Sequence, residues 1–226
     1  KFCRSVVPIP IKISFFDQEG NKIKFKLSNK YRKEHYLILE KKEDKFIFPK
    51  MNNRVIPSIL RDYSAPVNLK TDLTLADHIH LLRFDDNLFK KWDICQNLHL
   101  KLLKNKNLQL FSNSIKQIIN NTTIDNSIRS LILTPPSYRT FQNNLSNYDP
   151  LELYDLINNY LIKFYKSFED DLYNLFKNSL KKFYINSDLK IRSLLKVLLQ
   201  ALCIVDNNFA KNIAEDFCGS KIMEIK

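Results

Sequence analysis

The chain has 226 residues and a formal net charge of +12, with 44% hydrophobic and 27% charged residues. This balance is not that of a disordered chain or a membrane protein, and the length allows one large domain or two small ones. The lysines are spread along the whole chain and no recognition motif accompanies them, so neither a membrane nor a nucleic-acid partner is expected.

A β-hairpin is predicted at the start of the chain, because apolar and polar residues alternate there. The odd positions of residues 9–16 are apolar, and KIKFKL at residues 22–27 shows the same alternation after the turn DQEGN. In that turn Gly20 can adopt a positive φ. Period two on both sides of a turn predicts an antiparallel hairpin with one solvated face.

Three more strands are predicted before residue 61. Their sequences are HYLILE at residues 35–40, KFIFPK at 45–50 and VIPSIL at 55–60. In the last of these, Pro57 cannot donate a ladder hydrogen bond, which predicts an edge strand, a strand start or a bulge. Several short strands in about seventy residues indicate a small β-sandwich. We expect three aromatic residues in its core: Tyr36, Phe46 and Phe48.

The apolar period changes near Leu69, and this change predicts a domain boundary. In the segment SAPVNL, Pro66 keeps Ala65 extended, since the residue before a proline avoids the helical region. We therefore predict a β-sandwich over residues 1–69, incomplete at its N-terminus, and an α-helical domain over residues 70–226. The fold class is α+β and multidomain.

Helices are predicted from the boundary onward, because apolar residues recur there every three or four positions. The clearest start is at residues 149–150, where Asp149 fits an N-cap and Pro150 fits the first helical position. Further apolar stripes are found at residues 84–103, 171–183, 188–202 and 208–219. Short links between such helices indicate antiparallel pairs, packed either as a bundle or as an α-solenoid.

No residue of this chain is predicted to bind a metal or to act in catalysis. The four histidines, His35, His78, His80 and His99, are expected to be surface or half-buried residues, with His99 at the edge of the core. His78 and His80 lie two positions apart without a third ligand nearby. With only two glycines in the chain, a glycine-rich phosphate loop is impossible.

Two acidic clusters are interpreted as helix-start residues. Asp85 and Asp86 stand before one predicted helix and Glu169–Asp171 before another, so capping and dipole effects explain them better than catalysis does.

The four cysteines, Cys3, Cys95, Cys203 and Cys218, are far apart and lack metal-ligand or redox spacing. They indicate reduced packing residues of a cytosolic protein. The first residues also lack the apolar segment of a signal peptide, so a cytoplasmic location is expected.

The segment VIPSILRDYSAPVNL at residues 55–69 carries a family likeness. It resembles the Pro-Ser-Leu-Leu-Arg-x-Phe-Ser-Ala-Pro-Val segment of the alanyl aminopeptidases, the aminopeptidase N family of zinc metallopeptidases. DDNLFKKWDICQ at residues 85–96 is similar to that family's Asp-x-Phe-x-Arg-Trp-x-Ala-x-Gln helix, with Phe89, Trp92 and Gln96 in register. The positions of the first segment that match are Pro57, Ser58, Leu60, Arg61, Ser64, Ala65, Pro66 and Val67.

This resemblance implies an immunoglobulin-like sandwich followed by the first part of a superhelical α domain. The zinc domain, with its His-Glu-x-x-His motif, would precede Lys1. The resemblance therefore implies zinc as cofactor of the parent enzyme and none in this chain. Its partners would be the catalytic domain of the same polypeptide and, in the parent enzyme, short peptide substrates. No catalytic or metal residue is assigned here, and substrate-binding residues are unknown.

Three functional hypotheses follow. The first is a non-catalytic C-terminal fragment of an aminopeptidase, which braces the catalytic domain and walls its chamber. The second is a free-standing adaptor protein, and the third is a basic nucleic-acid-binding scaffold. Coding sequence upstream of Lys1 would separate the first two, and a salt-dependent binding assay would test the third.

Overall fold

A computed structural model describes most of the chain. The described residues are 7–49, 51, 54–104, 108–145, 148–185, 188–206, 208–209 and 212–213. The chain divides into two compact units, Lys1–Cys95 and Gln96–Lys226. Among the described residues, no helix is both long and apolar enough to cross a membrane.

The first unit is built around strand β1 (Ile9–Phe16), which pairs with three other strands. β2 (Lys22–Ile23) and β5 (Glu34–Leu39) pair with it antiparallel, and so does β6 (Ile56–Ile59). Because β5 and β6 both pair with Ile13 and Ser14 of β1, they must lie on opposite edges of it. A separate two-stranded ladder joins β3 (Phe25–Leu27) to β4 (Lys30–Arg32).

Two details of the sheet agree with the sequence predictions. The hairpin at the start of the chain is present, with Phe15 opposite Ile23 and with Gly20 at φ +88° in the turn. Pro57 lies in β6, which pairs only with β1 in the described part of the chain, so the proline occupies an edge strand.

The prediction of a strand over residues 45–50 is wrong, since residues 45–49 form no strand and residue 50 lies outside the described residues. Phe48 nevertheless packs edge-on against Phe15, with ring centroids 5.0 Å apart, and Phe46 packs against the same core. The apolar pattern of this segment therefore reflects burial by an irregular loop rather than strand pairing.

Tyr36 is also placed wrongly by the sequence prediction, because its side chain is 57% exposed. β5 alternates in such a way that His35 and Leu37 face inward while Tyr36 and Ile38 face solvent. The core between the sheet and the β3–β4 ladder is formed by a small group of fully buried residues: Ile13, Phe15, Phe25 and Leu37.

Eight α-helices follow in the described residues, beginning at Leu75 as the change of period predicted. They are α1 (Leu75–Phe84), α2 (Leu88–Leu102), α3 (Gln109–Asn120), α4 (Asn126–Leu133), α5 (Tyr138–Asn144), α6 (Pro150–Lys166), α7 (Glu169–Ile185) and α8 (Leu189–Val205). Asp149 caps α6 through its side chain, which accepts a hydrogen bond from the backbone N–H of Leu151, and Pro150 is the first helical residue. Both features were predicted.

The second unit is organised around α8, which packs against α4, α6 and α7. Its apolar stripe includes Leu194, Leu198 and Leu202, which are fully buried. The predicted helix over residues 208–219 lies mostly outside the described residues. Within it, the ring of Phe209 packs edge-on against Tyr173 at 4.6 Å between centroids.

Candidate functional site

The most distinctive side-chain arrangement in the first unit surrounds Arg61, which is 1% exposed. One guanidinium nitrogen donates to Oδ1 of Asp85 at 2.6 Å and to the hydroxyl of Ser58 at 3.2 Å. The other donates to Asp86 and lies 3.1 Å from Oε1 of Glu34. A buried arginine requires such partners, because an unpaired charge away from water is strongly destabilising.

Asp85 connects this arginine to the strand and to the helices. Its Oδ2 accepts a hydrogen bond from the Ser58 hydroxyl in β6, and its Oδ1 accepts one from the backbone N–H of Asn87 at 2.7 Å. Its own backbone N–H donates to the carbonyl of Leu81 and ends α1. Asp85 therefore connects β6, the end of α1 and the start of α2 through one buried residue.

A second layer of charges lies around the first. The ammonium of Lys22 contacts Glu34 at 2.6 Å and Asp86 at 2.8 Å, and that of Lys12 contacts Glu34 at 2.9 Å and Asp62 at 2.5 Å. We refer to the complete set as the Arg61 cluster. It consists of Lys12, Lys22, Glu34, Ser58, Arg61, Asp62, Asp85, Asp86 and Asn87.

The pKa values in the Arg61 cluster favour the charged forms. Burial opposes the charge of Arg61, but Asp85, Asp86 and Glu34 outweigh it and raise the arginine pKa. Burial likewise opposes ionisation of Asp86, yet hydrogen bonds from Lys22 and Arg61 bring its pKa down to about 2. The pKa of Glu34 is also lowered, because its two lysine partners overcome its desolvation. Arg61, Asp86 and Glu34 are therefore charged at neutral pH.

The backbone around Arg61 is unusual. Leu60, Asp62 and Tyr63 have φ values of 62°, 54° and 51°, the left-handed region that L-residues avoid because Cβ approaches the carbonyl oxygen. This segment is held from several sides. The backbone N–H of Lys12 donates to the Ser64 hydroxyl at 2.9 Å, and the side chain of Asn87 donates to the carboxylate of Asp62.

A row of three aromatic rings extends outward from this turn. Tyr63 contacts Phe89 with ring centroids 5.2 Å apart, and Phe89 contacts Trp92 at 5.4 Å. Tyr63 is 52% exposed, whereas Phe89 and Trp92 are half-buried. We call these three residues the aromatic row. Phe89 and Trp92 are the residues that placed this helix in register with the aminopeptidase motif.

Lys91 is a further buried cation in the first unit. Its ammonium donates to the carbonyls of Leu82 and Arg83 at 2.7 and 2.9 Å, the last turn of α1. Burial lowers the pKa of Lys91 to about 8, despite the nearby carboxylates of Asp85 and Asp86.

The two predicted acidic clusters have different roles. Glu169–Asp171 form the first turn of α7, as predicted. Asp85 and Asp86 were predicted to cap the helix that follows, but Asn87 occupies that position and accepts from the backbone N–H of Lys90 at 2.9 Å. The two aspartates instead pair with Arg61. This partnership could not be read from the sequence, since 24 residues separate Arg61 from Asp85.

Three of the four histidines are buried, which corrects the prediction of surface or half-buried side chains. Nε2 of His35 lies 2.9 Å from the carbonyl oxygen of Phe25, and Nδ1 of His78 lies 2.8 Å from that of Thr74. His80 is half-buried, as predicted. These hydrogen bonds satisfy individual rings and do not bring the histidines together.

His99 lies at the centre of the core of the second unit rather than at its edge. It is fully buried between the rings of Phe111 and Phe164, and its Nδ1 lies 2.8 Å from the hydroxyl of Tyr160. Burial lowers the pKa of His99 to about 3, so the ring is neutral at physiological pH.

Among the residues that the structure describes, no group of three His, Cys, Asp or Glu side chains could hold a metal ion. Cys95 is buried and Cys203 is exposed. Cys3 and Cys218 lie outside the described residues. The part of the chain that the structure describes therefore does not fit a zinc site.

A cationic groove of about 710 Å³ lies beside the β3–β4 ladder. The five positively charged residues that line it are Lys12, Lys22, Lys30, Arg32 and Lys33, together with Glu34 as the one carboxylate among its lining residues. The Lys12 and Lys22 ammonium groups are already paired within the Arg61 cluster. The other cations that line the groove are Lys30 and Arg32 in β4 and Lys33 directly after it.

Two protein-family models match this combination of a strand region and a helical region. Residues 3–72 match DUF3458, described as a domain of unknown function with an Ig-like fold, and residues 75–225 match DUF3458_C, described as ARM repeats. The chain belongs to the DUF3458_C family, whose model matches more than half of it, and its first part matches DUF3458. The predicted fold class, an immunoglobulin-like region followed by a helical solenoid domain, is thereby confirmed.

Curated relatives of this DUF3458 chain are aminopeptidases. It is 29% identical over 154 residues to aminopeptidase N of Haemophilus influenzae and 24% identical over 156 residues to aminopeptidase N of Escherichia coli. These matches cover 63% and 64% of the chain but 18% of each relative. The predicted resemblance to a C-terminal portion of an aminopeptidase is confirmed.

The DUF3458 chain also resembles a solved structure, that of Legionella pneumophila aminopeptidase A in complex with aspartic acid. The TM-score is 0.80 at 24% sequence identity, over 97% of this chain and 27% of the other. At this identity the likeness supports the fold. The chain thus spans about a quarter of the length of that protein and about a fifth of the length of each aminopeptidase N.

Proposed function

We propose that this chain is the non-catalytic part of a zinc aminopeptidase that removes N-terminal residues from peptides. In this proposal it braces the catalytic domain and forms part of the wall of the substrate chamber. The kinship with aminopeptidases N supports the enzyme class. The Arg61 cluster is the observation that supports a brace.

A segment that braces another domain must keep a fixed shape, and the Arg61 cluster fixes the shape of the first unit. Arg61 and Asp85 connect β6 with the end of α1 and the start of α2 through contacts that are sealed from solvent. Because Arg61 and Asp85 are both buried and charged, a shift that separates them leaves a charged group unpaired, so few alternative arrangements are possible. A strand layer that is fixed to its first helices in this way can support a neighbouring domain.

The zinc ion belongs to the proposal for the whole enzyme and not to these residues. Since the described residues do not form a ligand set, the ion would be held by another part of the polypeptide. The role assigned to this chain is therefore positional, and no chemical step is assigned to any of its side chains.

The test compares two variants of the full-length polypeptide that carries this chain. Arg61→Ala disrupts the Arg61 cluster, and Lys190→Ala removes an ion pair with Asp125 in which both side chains are largely exposed. Hydrolysis of an aminoacyl chromogenic substrate and of a long peptide is measured against temperature. Arg61→Ala should inactivate the enzyme at lower temperature and raise the relative rate on the long peptide, while Lys190→Ala should do neither.

If Arg61→Ala makes the first unit unfold at a lower temperature while both hydrolysis rates stay at the wild-type level, this chain does not brace the enzyme.

A second candidate function, binding of a polyanion, is supported by the cationic groove. It predicts that a nucleic acid binds the chain with steep salt dependence and that Lys30→Ala with Arg32→Ala weakens this binding.

A further inference from the structure

We propose that the aromatic row, Tyr63, Phe89 and Trp92, is the surface through which this chain docks onto the catalytic part of its aminopeptidase polypeptide. The inference rests on the proposed function and identifies the contact by which the brace works. The occupant would be an apolar patch on that catalytic part.

The first argument is the way in which the row is presented. Tyr63 reaches solvent from a backbone with φ 51°, beside Asp62 and Leu60 in the same left-handed region. A left-handed backbone is unfavourable for Leu60 and Tyr63, whereas Asp62 is of a type that tolerates it better. Such strain persists only where the surroundings over-determine it, and it concentrates at functional surfaces.

The second argument is that the turn and the helix are locked to each other. The side-chain oxygen of Asn87 accepts from the backbone N–H of Asp62 at 3.3 Å and from that of Lys90 at 2.9 Å. One side chain therefore fixes the turn that carries Tyr63 to the N-terminal end of α2, the helix that carries Phe89 and Trp92. The three rings form one rigid row, and rigid aromatic anchors lose little freedom on binding.

The third argument concerns composition and charge. Tyr and Trp are the residues most enriched among the few that dominate interface energetics, and they act best inside a polar rim. Here the side chains of Asp62 and Asp86 remain 55% and 60% exposed beside the turn. Both carboxylates are already paired, Asp62 with Lys12 and Asp86 with Lys22 and Arg61, so they supply the polar rim and leave the charge of the partner surface unspecified.

The fourth argument identifies the occupant. The match covers 18% of each aminopeptidase N relative and 27% of the solved aminopeptidase A, so most of such a polypeptide lies outside it. A partner in the same chain is present at high effective concentration, so a small anchor of three rings suffices for stable docking.

The experiment measures hydroxyl-radical oxidation of Tyr63 and Trp92 in the 226-residue chain and in the full-length polypeptide. We expect a several-fold slower oxidation of both residues in the full-length protein. Equal oxidation rates would overturn the proposal. The proposal would also be overturned if oxidation of both residues in the 226-residue chain slowed as its concentration rose and sedimentation showed a doubled mass. The occupant would then be a second copy of the chain.

A matched pair of variants provides the second readout. Tyr63→Ala and Tyr36→Ala each remove an exposed tyrosine ring from the first unit. Tyr63→Ala should lower the thermal midpoint of full-length activity by more than it lowers the midpoint of the 226-residue chain, and Tyr36→Ala should not. Equal effects of the two variants would overturn the docking role of the row. If Arg61→Ala leaves both hydrolysis rates at the wild-type level while the row stays protected in the full-length protein, the proposed function alone is refuted.

Discussion

The guanidinium of Arg61 donates to the carboxylate of Asp85 across 2.6 Å, and both side chains are sealed from solvent at 1% and 0% exposure. This pair joins the turn that follows the last strand to the turn between the first two helices. The stability of the first unit depends on the pair remaining intact, because neither charge has access to water.

Replacing Arg61 with Ala should therefore lower the free energy of unfolding by about 3 to 5 kcal/mol, since Asp85 is left as an unpaired buried charge. Urea denaturation at neutral pH measures this. Lys190→Ala breaks a solvent-exposed pair with Asp125 and should leave stability almost unchanged. If the two variants changed the free energy of unfolding by similar amounts, the Arg61–Asp85 pair would contribute no more to stability than an exposed ion pair.

The stability contributed by Asp86 should disappear in acid. Its pKa in the folded chain is about 2, below the ordinary value of 3.8, so the contribution is complete above pH 4 and is lost as pH falls towards 2. Because its side chain is 60% exposed, we expect about 1 kcal/mol after allowance for screening by solvent. The stability difference between wild type and Asp86→Asn should shrink between pH 4.5 and 2.5, in contrast to a constant difference if the charge is irrelevant.

His99 should make the second unit sensitive to mild acid. Its folded pKa of about 3 lies below the ordinary 6.5, so stability is complete above pH 6.5 and falls as the unfolded chain binds a proton that the core excludes. Between pH 7 and 5 the loss should be about 2 kcal/mol. Replacing His99 with Leu should flatten this part of the profile in urea titrations. An unchanged slope would assign the acid sensitivity to other groups.

Gly20 should not tolerate a side chain. Its φ is +88°, and a Cβ at this position would collide with the ring of Phe84. We expect Gly20→Ala to reduce stability by about 1 to 3 kcal/mol, through strain and overpacking. Ser28 in the β3–β4 turn offers the opposite case, with φ 46° and an exposed side chain. Ser28→Gly should be neutral or stabilising by up to about 1 kcal/mol, as thermal unfolding can test.

The 226-residue chain alone should contain less than one bound zinc ion per molecule and should not hydrolyse aminoacyl chromogenic substrates. Elemental analysis after extensive dialysis and an activity assay measure these two properties. A stoichiometric zinc ion that survives dialysis would mean that the chain forms a ligand set of its own.

The sequence predicted the elements better than it predicted their partners. Alternation located β1, β5 and the first hairpin, because a half-buried strand repeats every two residues. The same logic failed for residues 45–49, where Phe46 and Phe48 supply apolar burial without strand pairing. Periodicity reports which side chains are buried and leaves open the backbone that buries them.

The Arg61 cluster could be predicted even less, since its members come from β1, β2, β5, β6, the turn after β6 and two helix termini. The available signals were an arginine next to the apolar run VIPSIL and an aspartate pair 24 positions later. Local reasoning assigned that pair to helix capping, a role that Asn87 performs. Long-range ion pairs have no period, so only their coincidence with a family motif indicated that Arg61 matters.

The position of β1 at the centre of the sheet determines the order in which this protein can be completed during synthesis. Residue 13 of β1 leaves the ribosome 46 positions before residue 59 of β6, its partner on the second edge. At roughly 5 to 20 residues per second, that edge stays open for about 2 to 9 s. A nascent chain therefore carries an unpaired strand edge throughout this interval, and open edges recruit other strands. Slowing translation between residues 16 and 56 should increase aggregation of the nascent protein without any change in the folded state.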